Sequence, residues 1–245
     1  MIIKSRDLAL ISVFASFYPI AQLMNLGFPV IGGPGIINLA LILGPINGLM
    51  LGPLNGFIAT ALGATIGMSM GIGTSFSPLI VLNRSLGAAE AGILLSESVK
   101  IAGNRKRPVP GWVVAAIILA AVSCLWYLFP VGRGAPFYPA LHLTGMMAAL
   151  LLDGRASRLL SSNSRPKIAL AIAVASYCAV LADHMLGNII FISVMGWQSS
   201  RYSAIFMSIL PVTAIERITL TLLATLFGTP LLLVTRSLGI RLKDD

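Results

Sequence analysis

The sequence predicts an all-α fold, a polytopic bundle of about six to eight transmembrane helices that forms one domain over residues 1–245. Of the 245 residues, 57% are hydrophobic and only 10% are charged, whereas a soluble domain usually contains about 25% charged residues. Uncharged apolar runs such as 111–129 are close to the roughly 20 residues that a spanning helix needs. Composition therefore favours a helical membrane protein.

The net charge of +9 comes from basic residues clustered at the two termini and in two connecting loops. The positive-inside rule places such clusters on the cytoplasmic side of a membrane, so both termini are expected to be cytoplasmic. This distribution accounts for the charge without a nucleic-acid partner. The clustered residues are Lys4, Arg6, Lys100, Arg105, Lys106, Arg107, Arg155, Arg158, Arg165, Lys167, Arg236, Arg241 and Lys243.

The first helix is expected at residues 7–24, and a loop rich in Gly and Pro follows at 25–35 on the external side. An apolar helical pattern then covers residues 36–71, which as one helix would measure about 54 Å, against a hydrocarbon core of about 30 Å. Gly52-Pro53 lies near its midpoint, and Gly followed by Pro is typical of one helix ending and another beginning. The sequence therefore predicts a tight hairpin that turns there, with a kink at Gly44-Pro45 in the incoming helix.

The same hairpin contains two LGPxNG units, within which glycine recurs every four residues. Small residues at this spacing let helices approach closely, so packing and turning are the first interpretation of the repeat. An alternative is that Asn47 and Asn55 line a cavity. Further spans are expected at 78–99, 112–129, 139–152, 168–195 and 204–234, and the shortness of 139–152 leaves the number of spans between six and eight.

Ionisable residues inside spans are costly and indicate a functional site by default. Such residues are Arg84, Glu90, His142, Asp183, His184, Glu216 and Arg217. A pocket open to the outside is expected, because the topology brings the following residues to one side of the bundle: Arg84, Asp183, Asn188, Glu216, Trp197 and Tyr202. Structural ion pairs between these arginines and carboxylates are the alternative, and His142 is expected to be a hydrogen-bonded structural residue.

No catalytic signature is present in the sequence. H-E-x-x-H, G-x-S-x-G and the Walker A pattern are all missing, and two His and two Cys lack metal-ligand spacing. We therefore expect no cofactor, no metal and no enzymatic activity of the chain itself. An intramembrane enzyme that uses Asp183 or His142, and a structural membrane subunit, are the two alternatives.

The order of these motifs resembles the substrate-binding S components of energy-coupling factor transporters. The resemblance rests on small residues four apart in the first helix, a hairpin rich in Gly and Pro, an Asp followed by Gly in the penultimate helix, and a last helix that opens with Pro and an acidic residue. The matching residues are Ser12 with Ser16, Gly52-Pro53 with Gly56, Asp183 with Gly187, and Pro211 with Glu216. Family members typically have six helices, so residues 111–153 would be an additional pair.

The resemblance implies a multi-pass subunit of the cell membrane that captures a vitamin or related micronutrient from outside. Such a subunit docks on a transmembrane coupling subunit that carries two ATPase subunits, and these partners hydrolyse the ATP. The residues implied in docking are Ser12, Ser16, Gly48, Gly52 and Gly56. For the substrate, Arg84 suits a carboxylate or phosphate, Asp183 and Asn188 suit a ring N–H group, and an aromatic substrate could stack on Trp197 or Tyr202.

Overall fold

The computed structural model describes residues 4–24, 27–29, 36–72, 77–100 and 108–239. Much of the expected external loop, the basic residues 105–107, Arg241 and Lys243 lie outside these ranges. The described helices are α1 (Ser5–Leu23), α2 (Leu43–Ser69), α3 (Ile80–Leu94), α4 (Gly111–Trp126), α5 (Pro130–Gly134), α6 (Ala140–Leu152), α7 (Arg155–Leu160), α8 (Arg165–Val194) and α9 (Ser203–Ser237), with 3-10 turns at Leu39–Ile42 and Ser200–Tyr202.

The all-α prediction is confirmed, and each of the eight apolar segments expected from the sequence contains a helix. Within the part of the chain that the structure describes, three helical segments are long and apolar enough to cross a membrane, namely Leu39–Ser69, Arg165–Val194 and Ser200–Ser237. Two short antiparallel pairs were not predicted: β1 (Gly27–Pro29) with β2 (Ile36–Asn38), and β3 (Ser98–Val99) with β4 (Val109–Pro110).

The predicted hairpin is present, and its turn is at Gly52. This residue has φ 78° and ψ −177°, a combination that is essentially restricted to glycine. The two arms, residues 43–52 and 53–69, pack against each other: a Cβ on Gly56 would lie 2.8 Å from the Asn47 carbonyl oxygen. Asn47 also joins the arms, since its Nδ2 donates to Thr60 Oγ1 at 2.9 Å. Leu39–Ser69 is therefore a helix pair that doubles back on itself.

The expected kink at Gly44-Pro45 is wrong. The 3-10 turn Leu39–Ile42 leads directly into α2 at Leu43, which places Gly44 and Pro45 in the first turn of the helix. The missing N–H of a proline there interrupts no helical hydrogen bond, so the helix continues without distortion.

Helix α3 lies between the α2 hairpin and α8, and glycines make both contacts close. A Cβ on Gly48 would lie 2.0 Å from the Ala88 carbonyl oxygen, and one on Gly92 would lie 2.5 Å from the Pro53 nitrogen. On the opposite face of α3, a Cβ on Gly87 would lie 3.0 Å from the Ala179 carbonyl oxygen. The small residues of the doubled motif therefore serve packing inside the bundle, as its first interpretation holds.

The two ends of the bundle differ in charge. At the end with the α2 turn, Gly92 contacts Pro53 and Gly154 faces Trp112, and the Arg236 guanidinium donates to the Leu160 carbonyl at 2.7 Å. The described clustered basic residues from the loops and the C-terminal helix belong to this end: Lys100, Arg155, Arg158, Arg165, Lys167 and Arg236. At the opposite end, α5 meets the segment before α9 through a hydrogen bond from Val131 N to the Gln198 carbonyl at 2.9 Å.

The perimeter of the bundle is apolar. Large hydrophobic side chains are exposed on the outer faces of several helices, among them Val13, Phe17, Leu62, Ile66, Ile117, Leu151, Ile215, Leu222, Leu226 and Phe227. Soluble monomers rarely expose so much contiguous apolar surface. The perimeter, together with the three long apolar segments, is that of a protein compatible with a membrane.

Candidate functional site

A cavity of about 210 Å³ lies between α3, α8 and α9, near the end of the bundle opposite the α2 turn. Its lining residues are Leu41, Ile80, Asn83, Arg84, Asp183, His184, Gly187, Asn188, Phe191 and Arg217. A narrow space of about 10 Å³ adjoins it and shares Arg84 and Asp183, with Tyr18 and Thr60 on its far wall. Three of the residues expected to bind substrate, Arg84, Asp183 and Asn188, are therefore brought together in one place.

Helices α3 and α8 meet at the cavity through a side-chain hydrogen bond. The Asn83 amide nitrogen donates to Asp183 Oδ1. Two glycines allow this approach: a Cβ on Gly187 would lie 3.1 Å from Asn83 Nδ2, and one on Gly87 would lie 3.2 Å from the Asp183 Cβ. The Asp followed by Gly at i+4 on α8 therefore has a local physical reason, because the glycine leaves room for the partner of the aspartate.

Arg84 is the cation of α3 at this cavity. Its side chain is half-buried, and the Tyr18 hydroxyl and the Asp183 carboxylate are its close electrostatic partners. Within the described ranges, however, Arg84 makes no ion pair with Asp183 within 4 Å, and its buried Nε has no hydrogen-bond acceptor. The structural ion pair considered as an alternative for Arg84 is therefore not formed.

The neighbouring residues Glu216 and Arg217 of α9 have different positions. Arg217 lines the cavity, and its guanidinium lies 3.5 Å from the Glu216 carboxylate, with 7% and 16% of the two side chains exposed. Glu216 is not among the lining residues. For this pair the ion-pair alternative is formed, and the residue that reaches the cavity is the arginine rather than the predicted glutamate.

One lining residue of the cavity, His184, belongs to a hydrogen-bonded pair of histidines. His142 and His184 stack with ring centroids 5.3 Å apart, and His142 Nε2 lies 3.1 Å from His184 Nδ1. Asn188 Nδ2 lies 3.2 Å from His184 Nε2 and donates to the Tyr138 hydroxyl at 3.0 Å. If the amide also donates to Nε2, the His184 proton is on Nδ1 and is shared with His142. His142 is therefore hydrogen-bonded, as expected, and its structural role stays a prediction.

The aromatic residues expected to stack on substrate are stacked on each other. Trp197 and Tyr202 have ring centroids 4.5 Å apart with an interplanar angle of 5°, and neither lines the cavity. The aromatic side chain that does is Phe191, whose ring meets Trp197 edge-on at 5.2 Å. Trp197 and Tyr202 are therefore not part of this cavity, and their predicted contact with a ligand stays a prediction.

Sequence reasoning missed Phe191, Asn83 and Tyr18 as residues of this region and did not choose Arg217. A signal for Phe191 was present, since residues 183, 187 and 191 follow a spacing of four that puts them on one helix face. Asn83 and Tyr18 carried no such signal, because their positions depend on contacts between distant segments.

The residues predicted to dock a partner fall into two groups. Ser12 and Ser16 lie on the exposed face of α1, where their hydroxyls bond to the carbonyls of Leu8 and Val13. Gly48, Gly52 and Gly56 are buried in the hairpin and against α3. The prediction that these three glycines form a docking face is therefore wrong, because the chain's own helices occupy that face.

Asp183 and His142, the residues of the enzyme alternative, have separate hydrogen-bond partners. The aspartate bonds to Asn83 and the imidazole bonds to His184, and no hydrogen bond joins them in the described part of the chain. In those same ranges no group of three or more His, Cys, Asp or Glu side chains is placed to hold a metal ion.

Comparison with known proteins gives one informative likeness. The chain is 30% identical over 116 residues to an uncharacterized protein of Methanocaldococcus jannaschii, a match that covers 47% of this chain and 38% of that protein. The matched region thus spans well under half of the relative's length. No family model matches the sequence, and no solved structure matches it.

Proposed function

We propose that this chain is the solute-capturing membrane subunit of an energy-coupling factor importer and binds a vitamin or related micronutrient. The observation that carries the proposal is the cavity itself, in which Arg84, Asp183 and Asn188 converge although 99 positions separate Arg84 from Asp183. Small-molecule sites are concave and mostly apolar, with a few placed polar groups. Charged side chains inside apolar helices are costly in a purely structural bundle, and Arg84 has no ion pair in the described ranges, so these charges favour a site that binds a ligand.

The proposed orientation puts the cavity on the outer side of the cell membrane. The described basic residues of the loops and of the C-terminal helix are at the opposite end of the bundle, and the positive-inside rule assigns that end to the cytoplasm. In this orientation both termini are cytoplasmic, and the proposed number of spans is six to eight. Solute would enter the cavity from outside, between the ends of α3, α8 and α9.

The proposed partners are a transmembrane coupling subunit and two ATPase subunits, which supply the energy for release to the inside. On this chain, the exposed face of α1 with Ser12 and Ser16 is the surface available for docking. Small side chains there, next to the exposed Val13 and Phe17, allow close approach of a partner helix.

Reconstitution tests this function. The purified chain is placed in proteoliposomes with or without its co-expressed coupling and ATPase subunits, and uptake of the compound that co-purifies with the chain is measured. We expect uptake only in the presence of all partners and ATP. Equal uptake by the chain alone, or conversion of the compound to a product by the chain alone, would reject the proposal in favour of an independent carrier or an enzyme.

A further inference from the structure

We infer that the cavity binds a small organic monoanion. Its carboxylate is held by Arg84 and Arg217, and its N–H group donates hydrogen bonds to the side-chain oxygens of Asn83 and Asp183. This inference rests on the solute capture proposed above and adds the chemical class of the solute. The assignment comes from lining residues that have buried polar atoms without hydrogen-bond partners, from the charge of the site and from its volume.

Two guanidinium groups, those of Arg84 and Arg217, lie at the cavity. Arg84 has no direct ion pair among the described residues, and Arg217 has one carboxylate partner, Glu216, at 3.5 Å. The Nε atoms of both arginines are buried and have no hydrogen-bond acceptor. Guanidinium donors match the two oxygens of a carboxylate, so a bound carboxylate would satisfy donors that the chain itself leaves open.

Asn83 supplies a hydrogen-bond acceptor, and its side chain is buried, with 5% of the residue exposed. Its Nδ2 is used by Asp183 Oδ1, whereas its Oδ1 is buried and has no donor. Buried polar atoms in native structures are nearly always hydrogen-bonded. An N–H group of a ligand would donate a hydrogen bond to this carbonyl oxygen and to the remaining Asp183 oxygen.

The charge of the lining distinguishes a carboxylate from a phosphate. Two arginines and one aspartate line the cavity, and Glu216 pairs with Arg217 at 3.5 Å, so these four groups together have a formal charge of +2 − 2 = 0. A monoanion adds one negative charge beside Asp183, whereas a phosphate dianion adds two in a site of low dielectric constant. The carboxylate is therefore the preferred oxyanion.

The volume limits the size of the solute. The cavity measures about 210 Å³, whereas sites for drug-sized ligands measure about 300–1,000 Å³. A single small ring with a carboxylate fits this limit. Leu41, Ile80 and Phe191 supply the apolar wall for its hydrocarbon part.

The test uses 5-oxoproline, a five-membered lactam that combines one carboxylate with one ring N–H. Two close analogues isolate each group: its carboxamide lacks the charge, and N-methyl-5-oxoproline lacks the N–H. Inorganic phosphate is the fourth probe. Apparent affinities for the purified full chain are taken from the rise in melting temperature with probe concentration.

We expect 5-oxoproline to bind at least about tenfold more tightly than its carboxamide and than inorganic phosphate, because its carboxylate forms charge-assisted hydrogen bonds with the arginines. Arg84→Gln should weaken the binding of 5-oxoproline by at least about tenfold. Arg84→Lys should weaken it by less, since the positive charge stays but the paired guanidinium donors are lost. At Arg217 the substitution used is Arg217→Lys rather than a neutral one, because the retained positive charge preserves the fold. Arg133→Gln is the matched control, because Arg133 is exposed at the same end of the bundle and bonds to the carbonyls of Tyr127 and Leu128.

Absence of any preference for the carboxylate over the carboxamide, or equal affinity of the Arg84→Gln variant and the wild type, would overturn the inference. Preference for phosphate would overturn the choice of oxyanion. These results are separate from the reconstitution, because a neutral solute taken up with ATP and partners would refute the solute class alone. Carboxylate binding without partner-dependent uptake would refute the importer alone.

Discussion

At the scale of single residues, the interior of the bundle depends on glycines that no other residue can replace. Helix α3 approaches the hairpin so closely that a Cβ on Gly48 would lie 2.0 Å from the Ala88 carbonyl oxygen, whereas one on Gly44, a single turn earlier, would lie 3.6 Å from the Arg84 carbonyl oxygen. The first distance requires the backbone to shift, while the second is an ordinary contact. The two positions therefore form a matched pair on one helix.

We expect Gly48→Ala to lower the free energy of unfolding by about 1–3 kcal/mol, the usual cost of overpacking. Gly44→Ala should change it by less than about 0.5 kcal/mol, because space is present and alanine favours the helix. Unfolding of both variants in mixed detergent micelles, followed by circular dichroism, measures the difference. Equal stability of the two variants would mean that α3 does not pack on the hairpin as described.

The sequence does not show how each helix is oriented about its own axis, and this limited the prediction of single site residues. Adjacent positions on a helix point about 100° apart, so the sequence could indicate that Glu216 and Arg217 matter but not which of them faces inward. Hydrogen bonds between distant residues, such as Asn83 with Asp183, carry no local signal at all. By contrast, Arg84 and Asp183 could be chosen from the sequence because a charge in an apolar helix is conspicuous wherever it points.

At the scale of elements, the hairpin is the part that the sequence predicts best. Its turn depends on local chemistry, since Gly52 supplies a backbone conformation with φ 78° and Pro53 begins the outgoing arm. The same reasoning failed at Gly44-Pro45, because a 3-10 turn precedes it and the helix starts later than the hydrophobic pattern does. Hydropathy marks where a segment is apolar but not where its helical hydrogen bonds begin.

We expect Gly52→Ala to destabilise the fold by about 1–3 kcal/mol, because a Cβ is strained in this backbone conformation. Gly71→Asn is the control: Gly71 also has a positive φ, of 68°, but it ends a helix in open space, and asparagine is accepted at such positions. Thermal unfolding of both variants gives the comparison. A Gly52→Ala variant as stable as the wild type would show that the turn is not at Gly52.

At the scale of the whole molecule, the bundle has a basic end and an apolar perimeter. Its polar cavity lies near the end opposite the basic one. The proposed solute-capturing role requires this polarity, since a site open to the outside must lie at the end opposite the basic, cytoplasmic one. The glycines that were predicted to serve docking instead bring α2, α3 and α8 together, and that packing positions Asn83 and Arg84 opposite Asp183. The cavity is thus a consequence of how closely the helices approach.

The measurement that tests the central claim most directly is mass spectrometry of small molecules released from the detergent-purified protein after growth in rich medium. An Arg84→Ala/Asp183→Asn variant and an Arg133→Ala control are prepared in parallel. We predict a stoichiometric carboxylate-bearing compound in the wild type and the control, and its loss in the double variant. No bound compound in any of the three proteins, with all three equally stable, would contradict the account and leave the cavity charges as structural features.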